Sequence, residues 1–319
     1  MPRLCLSACV LTIVTLASGV FPVAAQNFPS RPIRIVTAQV GGSNDFAARL
    51  IGPELSRNVG QPVVVENRGG ILAGDIVSKA PADGHTLLLY GSTIWLLPLF
   101  QSHVPYEMKD FLTITTTNNA PNLLVVYPGL AAKSVKELIA VAKARPGELN
   151  FGMSAPSSSQ NLAGVLFNVL AGVRMQAVPY KGVGPALIDV MAGQIHLMFP
   201  TGGAVKGFLE SGKLRALAVA SAKPSRLHPD LPTVASSLPG YESTSVWGML
   251  APSGTPSAII NRLNREFLKV LQKPEMIERF FAAGLDTEGS TPQAFAAVIK
   301  TDSARWARLI KDGVIATEK

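Results

Sequence analysis

Short runs of β-branched and other apolar residues alternate along the chain with segments whose apolar residues recur at helical spacing. The short runs predict strands, and apolar residues three or four positions apart predict helices. The predicted strands are Ile33–Thr37, Pro62–Glu66, Thr86–Tyr90, Leu123–Tyr127, Gln176–Pro179, His196–Phe199, Leu214–Ala220 and Ser245–Leu250. The predicted helices are Asp45–Asn58, Val135–Ala144, Asn161–Ala171, Pro185–Met191, Ala204–Glu210, Ser257–Leu271 and Pro292–Ile310. This alternation predicts an α/β fold with largely parallel sheets.

Two predicted strands run into a proline and are followed by a new helix. Pro128 follows the strand at 123–127, and Pro252 follows the strand at 245–250. A chain that enters a second lobe and later returns shows this pattern twice. We therefore expect a first lobe of residues 26–123 plus 249–319 and a second lobe of residues 124–248. The alternative, that both strands belong to one large sheet, stays open.

The first 25 residues have the features of a secretory signal peptide. Arg3 gives a positive start, an apolar run extends from Val10 to Leu16, and Val23-Ala24-Ala25 resembles a cleavage site. The apolar run is too short for a membrane-spanning helix, which needs about 20 residues. We expect residues 1–25 to be removed, with an exported, soluble chain that begins near Gln26.

Composition narrows the chemistry of the exported chain. The full sequence is 47% hydrophobic and 16% charged, which is typical of a folded protein with a core. Both cysteines, Cys5 and Cys9, lie in the signal segment, so disulfides, cysteine nucleophiles and zinc–thiolate sites are not expected. The net charge of +8 comes from dispersed residues and contains no basic block, so nucleic acid is not an expected partner. A positive field mildly favours acidic solutes.

A glycine pair follows the first predicted strand, in the stretch VTAQVGGSNDFAARL at 36–50. The pattern of strand, glycine turn and helix places unpaired backbone N–H groups where a ligand can approach them closely. We expect this loop to bind an anion, with a carboxylate as the working hypothesis; a capped turn with purely structural glycines is the alternative. The candidate residues are Val40, Gly41, Gly42, Ser43, Asn44 and Asp45, of which Asp45 is expected to cap backbone N–H groups or to order a water.

A second loop has a similar setting, between a short extended run and the helix predicted at 161–171. It is rich in hydroxyl and amide donors and carries no charge, so it could hold the other end of a small anion. A serine-rich loop that only caps a helix is the alternative. The candidate residues here are Ser154, Ala155, Ser157, Ser158 and Asn161.

Catalytic motifs are poorly represented. The chain has no G-x-S-x-G, no H-E-x-x-H and no phosphate-binding glycine motif, and its four histidines are far apart in sequence. We therefore expect neither an enzyme nor a metal or cofactor site. An exported hydrolase that uses a serine of the 154–159 cluster remains the rival hypothesis.

Several stretches together resemble the Bug family, the TctC-type solute receptors of tripartite tricarboxylate transporters. These segments occur in the family's order over most of residues 26–319; they are Pro29–Val36, Gly41–Asp45, Gly60–Arg68, Ala82–Leu88, Ala144–Gly147, Val178–Leu187, Gly212–Val219, Leu231–Val234 and Trp247–Pro256.

The resemblance implies a two-lobed periplasmic-binding-protein fold, the type II-like Venus flytrap, that binds a small organic acid in a cleft without transforming it. It implies that the first glycine loop and the Ser154–Asn161 loop grip the ligand, and Ser92 is added to the candidate ligand-binding residues. The crossings at 122–127 and 245–250 are the expected hinges. The expected partner is a membrane permease of the same transporter type or, alternatively, a sensor kinase, and the expected state is a periplasmic monomer.

The chain departs from the family pattern at several positions. Val40 stands where the family usually has proline, and Gly69–Leu72 replaces a proline–glycine turn. Ala155, Ser157 and Asn161 replace two glycines and a histidine, and His196 and Pro200 stand where acidic residues are common. If His196 or Pro200 contacts the ligand, an ammonium group is disfavoured. We therefore expect a di- or tricarboxylate or an aromatic acid.

Overall fold

The computed structural model describes residues 28–154 and 158–315. The predicted signal segment at 1–25, with Cys5 and Cys9, and the predicted start at Gln26 lie outside the described residues, as do Ala155 and Ser157. Within the described part, no helix combines the length and the apolar character needed to cross a bilayer.

The described strands form two sheets. In chain order they are β1 (Ile33–Thr37), β2 (Val63–Asn67), β3 (Thr86–Gly91), β4 (Phe111–Pro121), β5 (Leu123–Val126), β6 (Asn150–Met153), β7 (Gln176–Pro179), β8 (Leu197–Met198), β9 (Arg215–Val219), β10 (Thr244–Pro252) and β11 (Asp286–Thr287). The first sheet has six strands in the order β11-β4-β10-β3-β1-β2, and the second has five in the order β7-β6-β8-β5-β9.

Helices cover both faces of each sheet. In chain order they are α1 (Ser43–Val59), α2 (Gly70–Ser78), α3 (Thr93–Phe100), α4 (Val135–Ala144), α5 (Ser159–Ala171), α6 (Val183–Met191), α7 (Gly202–Glu210), α8 (Ser257–Leu271), α9 (Pro274–Ala282) and α10 (Pro292–Lys311). In the first lobe, α1, α8 and α9 pack on the face that carries Ile33 and Ile35. Helices α2, α3 and α10 pack on the opposite face, against Val36 and Leu88.

The second lobe repeats this layering on a smaller scale. Leu123 and Val125 of β5 pack with α6 and α7, whereas Leu124 and Val126 face α4 and α5. All four of these β5 side chains are fully buried. A strand buried on both faces reads as a continuous apolar run, which is why this strand was predictable from the sequence.

The predicted two-lobed α/β fold is confirmed by this architecture. The expectation of largely parallel sheets is wrong for three strands: β10 runs antiparallel to β3 and β4, β11 runs antiparallel to β4, and β5 runs antiparallel to β8 and β9. β5 and β10 lie where the chain passes between the sheets, so their direction follows from that passage. Residues 244–248, placed in the second lobe by the sequence-based division, pair with β4 in the first sheet; the lobe boundaries as such stay a prediction.

The two sheets present facing edges across a gap that we call the cleft. β4 ends at Pro121 and β5 begins at Leu123, so Asn122 joins the sheets. In the first sheet, β1 and β3 end at this edge because β10, which starts there, is antiparallel to β3. In the second sheet, β6 and β8 are parallel to each other and opposite to β5, so they also end at this edge. The loops that follow these strands therefore face the cleft.

Candidate functional site

The loop between β1 and α1 places a helix start at the cleft. Gly41 has a φ of 88°, a left-handed conformation that glycine adopts without a steric penalty. Gly42 is the N-cap of α1, and no side chain caps this end of the helix. The first bond within the helix runs from the Phe46 N–H to the Gly42 carbonyl, at 2.9 Å. The N–H groups of Ser43 and Asn44 thus have no partner within the helix and point beyond the strand ends.

The Asp45 side chain holds this loop in place through hydrogen bonds to its backbone and to neighbouring side chains. Its Oδ2 accepts the Gly41 N–H at 3.0 Å, and its Oδ1 accepts the Arg49 Nε–H and the Asn67 Nδ2–H, each at 2.8 Å. Asn67 also donates to the Ala38 carbonyl at 2.7 Å, which ties the end of β2 to the same loop. The Asp45 carboxylate is buried and engaged with the protein's own donors.

The charge of Asp45 is stabilised where it lies. Burial by itself raises the pKa of this carboxyl, but the hydrogen bonds from the Gly41 N–H and Asn67, with the positive Arg49, outweigh burial and hold the pKa below its ordinary value. Asp45 is therefore ionised at neutral pH. An anionic solute is favoured at the exposed N–H groups above it and disfavoured beside the carboxylate itself.

Apolar and polar side chains stand together at this end of the cleft. Val40 is 72% exposed and Leu72, in the first turn of α2, is 59% exposed. The two loops are adjacent, since a Cβ added to Gly69 would lie 3.3 Å from the Gln39 Nε2. A polar helix start beside exposed apolar side chains suits a solute that combines a carboxylate with a hydrocarbon body.

The side chain of Asn44 is half-buried, and its Oδ1 is buried without a hydrogen-bond partner among the described residues. Ser43, at the first position of α1, is also half-buried. A buried polar atom without a partner is uncommon in proteins, and a bound molecule is one way to satisfy it.

Ser92 lies at the same edge, where β3 passes into α3. It lines a cavity of about 370 Å³ together with Trp95, Thr244, Asp302 and Arg305. This cavity lies between α3, α10 and the start of β10, and no residue of the two candidate loops lines it. Ser92 therefore lies at the cleft edge of the first sheet but close to the crossing between the lobes, apart from the glycine loop.

The second candidate loop forms the start of α5. Ser158 is the N-cap, and its Oγ accepts the Asn161 N–H at 3.3 Å. Ser154 Oγ donates to the Gln160 Oε1 at 3.2 Å. Ser158 thus caps the helix, in keeping with the alternative that the sequence left open, whereas Ser154 hydrogen-bonds to a side chain of the first turn.

The start of α5 is also tied to the passage between the lobes. The Asn122 Nδ2 donates to the Ser159 carbonyl at 3.1 Å. Asn122 is fully buried, so its side chain holds this helix end in a fixed position relative to the crossing. The α1 and α5 starts thus lie on opposite edges of the cleft.

One of the two departures from the family pattern near β8 is far from the cleft. His196 precedes β8 at the strand's other end, where its Nδ1 lies 2.9 Å from the Asn150 Oδ1. The sequence left open whether His196 contacts the ligand; its position argues against a contact, because β6 and β8 begin at the edge remote from the cleft. Pro200 follows β8 at the cleft edge, and its carbonyl accepts the Leu123 N–H at 2.7 Å.

The sequence-based reasoning missed the start of α7. Thr201 is the N-cap of this helix without a side-chain hydrogen bond, and Gly202 and Gly203 form its first turn at the cleft edge. A Cβ on Gly202 would lie 2.1 Å from the His228 Nε2, so a larger residue there would force the His228 ring to move. A glycine pair between a strand and a helix, the signal used at Gly41 and Gly42, was present here too.

Helix starts at the cleft give this site its electrostatic character. The starts of α1, α6 and α7 all lack a side-chain cap and follow strands that end at the facing edges. Each supplies unpaired N–H groups and the positive end of a helix dipole, which attract anions. Among the described residues, no group of three or more His, Cys, Asp or Glu side chains could hold a metal ion. The arrangement of helix starts can therefore attract an anion.

Comparison with known proteins agrees with this geometry. Residues 47–314 match the family model described as the tripartite tricarboxylate transporter family receptor. Protein BugT of Bordetella pertussis is 37% identical over 300 residues, which cover 91% of this chain and 92% of BugT.

Solved structures show the same fold. The structure of R. palustris Rpa4515 with adipate is 36% identical, with a TM-score of 0.79, and the match covers 91% of this chain and 99% of that one. The structure of the periplasmic binding protein BugD is 28% identical, with a TM-score of 0.76, and the match covers 91% of this chain and 100% of that one.

Proposed function

Because the chain belongs to the tripartite tricarboxylate transporter receptor family, a family of solute-binding receptors, we propose that it captures a small organic carboxylate in the cleft and presents it to a membrane permease. The observation that carries this proposal is the uncapped start of α1 at Gly42, whose N–H groups face the cleft. Hydrogen bonds from backbone N–H to a carboxylate strengthen when closure excludes water.

The proposed site spans both edges of the cleft. On the first lobe, the solute carboxylate accepts the N–H groups of Ser43 and Asn44, while Val40 contacts the body of the solute. On the second lobe, the loop from Ser154 to Asn161 closes over it. The remaining members of the proposed set are Gly41 and Gly42, which shape the loop, Asp45, which holds it, and Ser92, Ala155, Ser157 and Ser158.

The proposed solute is a di- or tricarboxylate or an aromatic acid. The uncapped helix starts support the negative charge, and exposed Val40 and Leu72 support an apolar body. The solved structure of the relative Rpa4515 contains adipate, a dicarboxylate with a four-methylene chain. Asp45, the acidic residue of the loop, is already engaged with Gly41, Arg49 and Asn67, which leaves it poorly placed to receive an ammonium group.

The proposed location is the periplasm, where the protein acts as a monomer. The relative BugD is a periplasmic binding protein, and residues 1–25 read as a cleavable signal. Delivery to a permease is distinguished from presentation to a sensor kinase by uptake assays in a deletion strain. Loss of uptake in cells whose transporter genes are already induced supports delivery; normal uptake with lost induction supports sensing and contradicts the permease role.

Thermal unfolding against a panel of mono-, di- and tricarboxylates, amino acids and aromatic acids tests the solute class. A ligand at about a thousand times its Kd adds roughly 4 kcal/mol of stability, which raises the Tm by several degrees. We expect a shift that is confined to carboxylates. If no carboxylate raises the Tm and mass spectrometry finds no acid released from the denatured protein, the solute class is wrong.

Replacement of Gly42 by valine tests the position of the site. Gly42 has a φ of −89°, which any residue adopts, and the nearest atom to an added Cβ is the Gln39 carbonyl oxygen at 3.9 Å. The variant should fold, whereas its added methyl groups should block the helix start and weaken binding by about tenfold or more. Gly207→Val is the matched control, since an added Cβ there meets open space on α7. Unchanged binding in Gly42→Val would remove the α1 start from the site.

A further inference from the structure

The lobes also touch each other outside the cleft, on the far side of the crossing. Arg226, in the segment that follows β9, donates its Nε–H to the carboxylate of Asp286 in β11. The Arg226 guanidinium carbon also lies 5.7 Å from the ring centroid of Phe281, at the end of α9. We call Arg226, Phe281 and Asp286 the rear contact. It joins the second lobe to the first by one ion pair and one cation–π contact.

The rear contact and the candidate site lie on opposite sides of the crossing between the lobes. In the first sheet, β3, β10 and β4 separate β1, with its glycine loop, from β11. In the second sheet, β8 and β5 separate β6, with its serine loop, from β9. The chain crosses in between, where the Ala220 N–H donates to the Asn122 carbonyl at 2.7 Å and the Asn122 N–H donates to the Ser243 carbonyl at 3.3 Å.

Other contacts flank the crossing on both faces of the sheets. On the face of α7 and α9, the backbones approach so closely that a Cβ on Gly203 would lie 2.7 Å from the Ala283 carbonyl oxygen. On the face of α10, Arg305 donates to the Glu242 carbonyl at 3.1 Å. Bending towards either face would compress one of these contacts. Rotation in the plane of the sheets, about the crossing strands, compresses neither.

We propose that the rear contact opposes closure of the cleft and thereby sets solute affinity from outside the binding site; the affinity part of this proposal rests on the proposed function. A rotation that brings the α1 and α5 starts together carries Arg226 away from Asp286 and Phe281. Each step of closure beyond the described conformation stretches the ion pair. Its removal therefore shifts the population of conformers towards closed forms.

The distance between the lobes reports this shift without any solute. Double electron–electron resonance measures it between spin labels at Arg68→Cys and Lys181→Cys, in the full chain with Cys5 and Cys9 changed to serine. Arg68 follows β2 and Lys181 follows β7, the strands at the far ends of the two sheets from the rear contact. Both positions are exposed. Because these two positions lie far from the crossing, rotation about the crossing changes their separation more than the separation of any pair of residues close to it.

Two variants and one matched control decide the proposal. Arg226→Ala removes both parts of the rear contact, and Asp286→Asn removes the charge while it keeps the shape. Arg31→Ala is the control, because Arg31 pairs with Asp83 at 2.7 Å within the first lobe and is 54% exposed, much like Arg226 at 55%. Both rear-contact variants should populate shorter distances than the parent, whereas Arg31→Ala should give the parent's distribution.

Affinity for adipate, measured by calorimetry, is the second readout. The apparent affinity rises in proportion to the fraction of molecules that are in the closed, binding-competent conformation. Arg226→Ala should therefore bind adipate about two- to fivefold more tightly than the parent. Unchanged or longer distances in both variants overturn the proposal, whatever adipate does. Shorter distances support it even if adipate binds to no variant, and in that case only the proposed solute class fails.

Discussion

The network around Asp45 makes a prediction that joins stability to binding. Asp45→Ala removes three hydrogen bonds, to the Gly41 N–H, Asn67 Nδ2 and Arg49 Nε. A hydrogen bond to a charged group contributes about 1.5–3 kcal/mol to stability. The sum over the three bonds is therefore an upper limit for the stability that Asp45→Ala would lose. The partners, however, have alternatives. Gly41 can turn to water, and Asn67 keeps its bond to the Ala38 carbonyl.

Arg49 adds little to this estimate, because its side chain is 53% exposed and an exposed ion pair is screened by water. We therefore expect Asp45→Ala to lower the free energy of unfolding by about 2 kcal/mol, mostly through the two part-buried bonds from Gly41 and Asn67. At about 2.1 cal/mol/K of unfolding entropy per residue, a chain of this size should lose about 3 °C in Tm. The same variant should weaken adipate binding, since the loop that presents the α1 start loses its support.

The pH dependence of this effect has a definite sign. The folded-state pKa of Asp45 lies below its ordinary value, so its ionised form stabilises the fold at every pH above that ordinary value, near 4. The contribution is lost as the pH falls through the folded-state pKa. The Tm difference between the parent and Asp45→Ala should therefore be constant from pH 8 to pH 5 and should narrow below pH 4.

Differential scanning calorimetry of parent, Asp45→Ala and Asp83→Ala checks this reasoning. Asp83 also accepts a backbone N–H, from His85 at 3.0 Å, and pairs with Arg31, but it is 41% exposed and lies at the start of β3. The control should lose less stability and should bind adipate like the parent. A Tm of Asp45→Ala equal to the parent's at pH 7, or a difference that widens below pH 4, would refute the argument.

Three further substitutions have expected outcomes. Gly202→Ala should lower stability by about 1–3 kcal/mol, because its Cβ would lie 2.1 Å from the His228 Nε2; the same change at Gly207, which meets open space, should not, and equal melting of the two variants would contradict the packing argument. Asn122→Ala should cost about 1–3 kcal/mol in urea unfolding, since it leaves buried polar groups at the crossing without a partner; an unchanged midpoint would show that water replaces the side chain. Ser43→Ala should weaken solute binding by about 1 kcal/mol in calorimetry if its hydroxyl donates to the carboxylate, and full affinity would leave the backbone N–H groups as the donors.

The predictable parts of the fold are those with strong local periodicity. β1, β7, α4 and α8 have the bounds expected from the sequence. β4 was missed because its middle, Thr113–Asn118, is polar and looks like a loop. In the structure, Thr115, Thr116, Thr117 and Asn118 are buried, and bonds to Ser290 satisfy Thr115 and the Thr116 N–H. A partner 175 residues away along the chain makes this polar strand possible, and no local pattern contains that information.

The same limit applies to the site. The glycine loop at 41–45 was predicted because a strand, a glycine pair and a helix occur together in one short stretch, and its role in binding stays a prediction. That this loop faces the starts of α5 and α7 depends on how two sheets meet at Asn122, which is a property of the whole chain. The position of His196 at the remote end of β8 also depends on strand direction, and the sequence therefore left open whether this residue contacts the ligand.

The most direct test of the central claim is a crystal structure of the protein with the carboxylate that raises its Tm most. The account predicts a solute carboxylate oxygen within about 3 Å of the backbone nitrogens of Ser43 and Asn44, with its other end towards the start of α5 or α7. A solute bound away from both candidate loops, with the α1 start left in water, would contradict it.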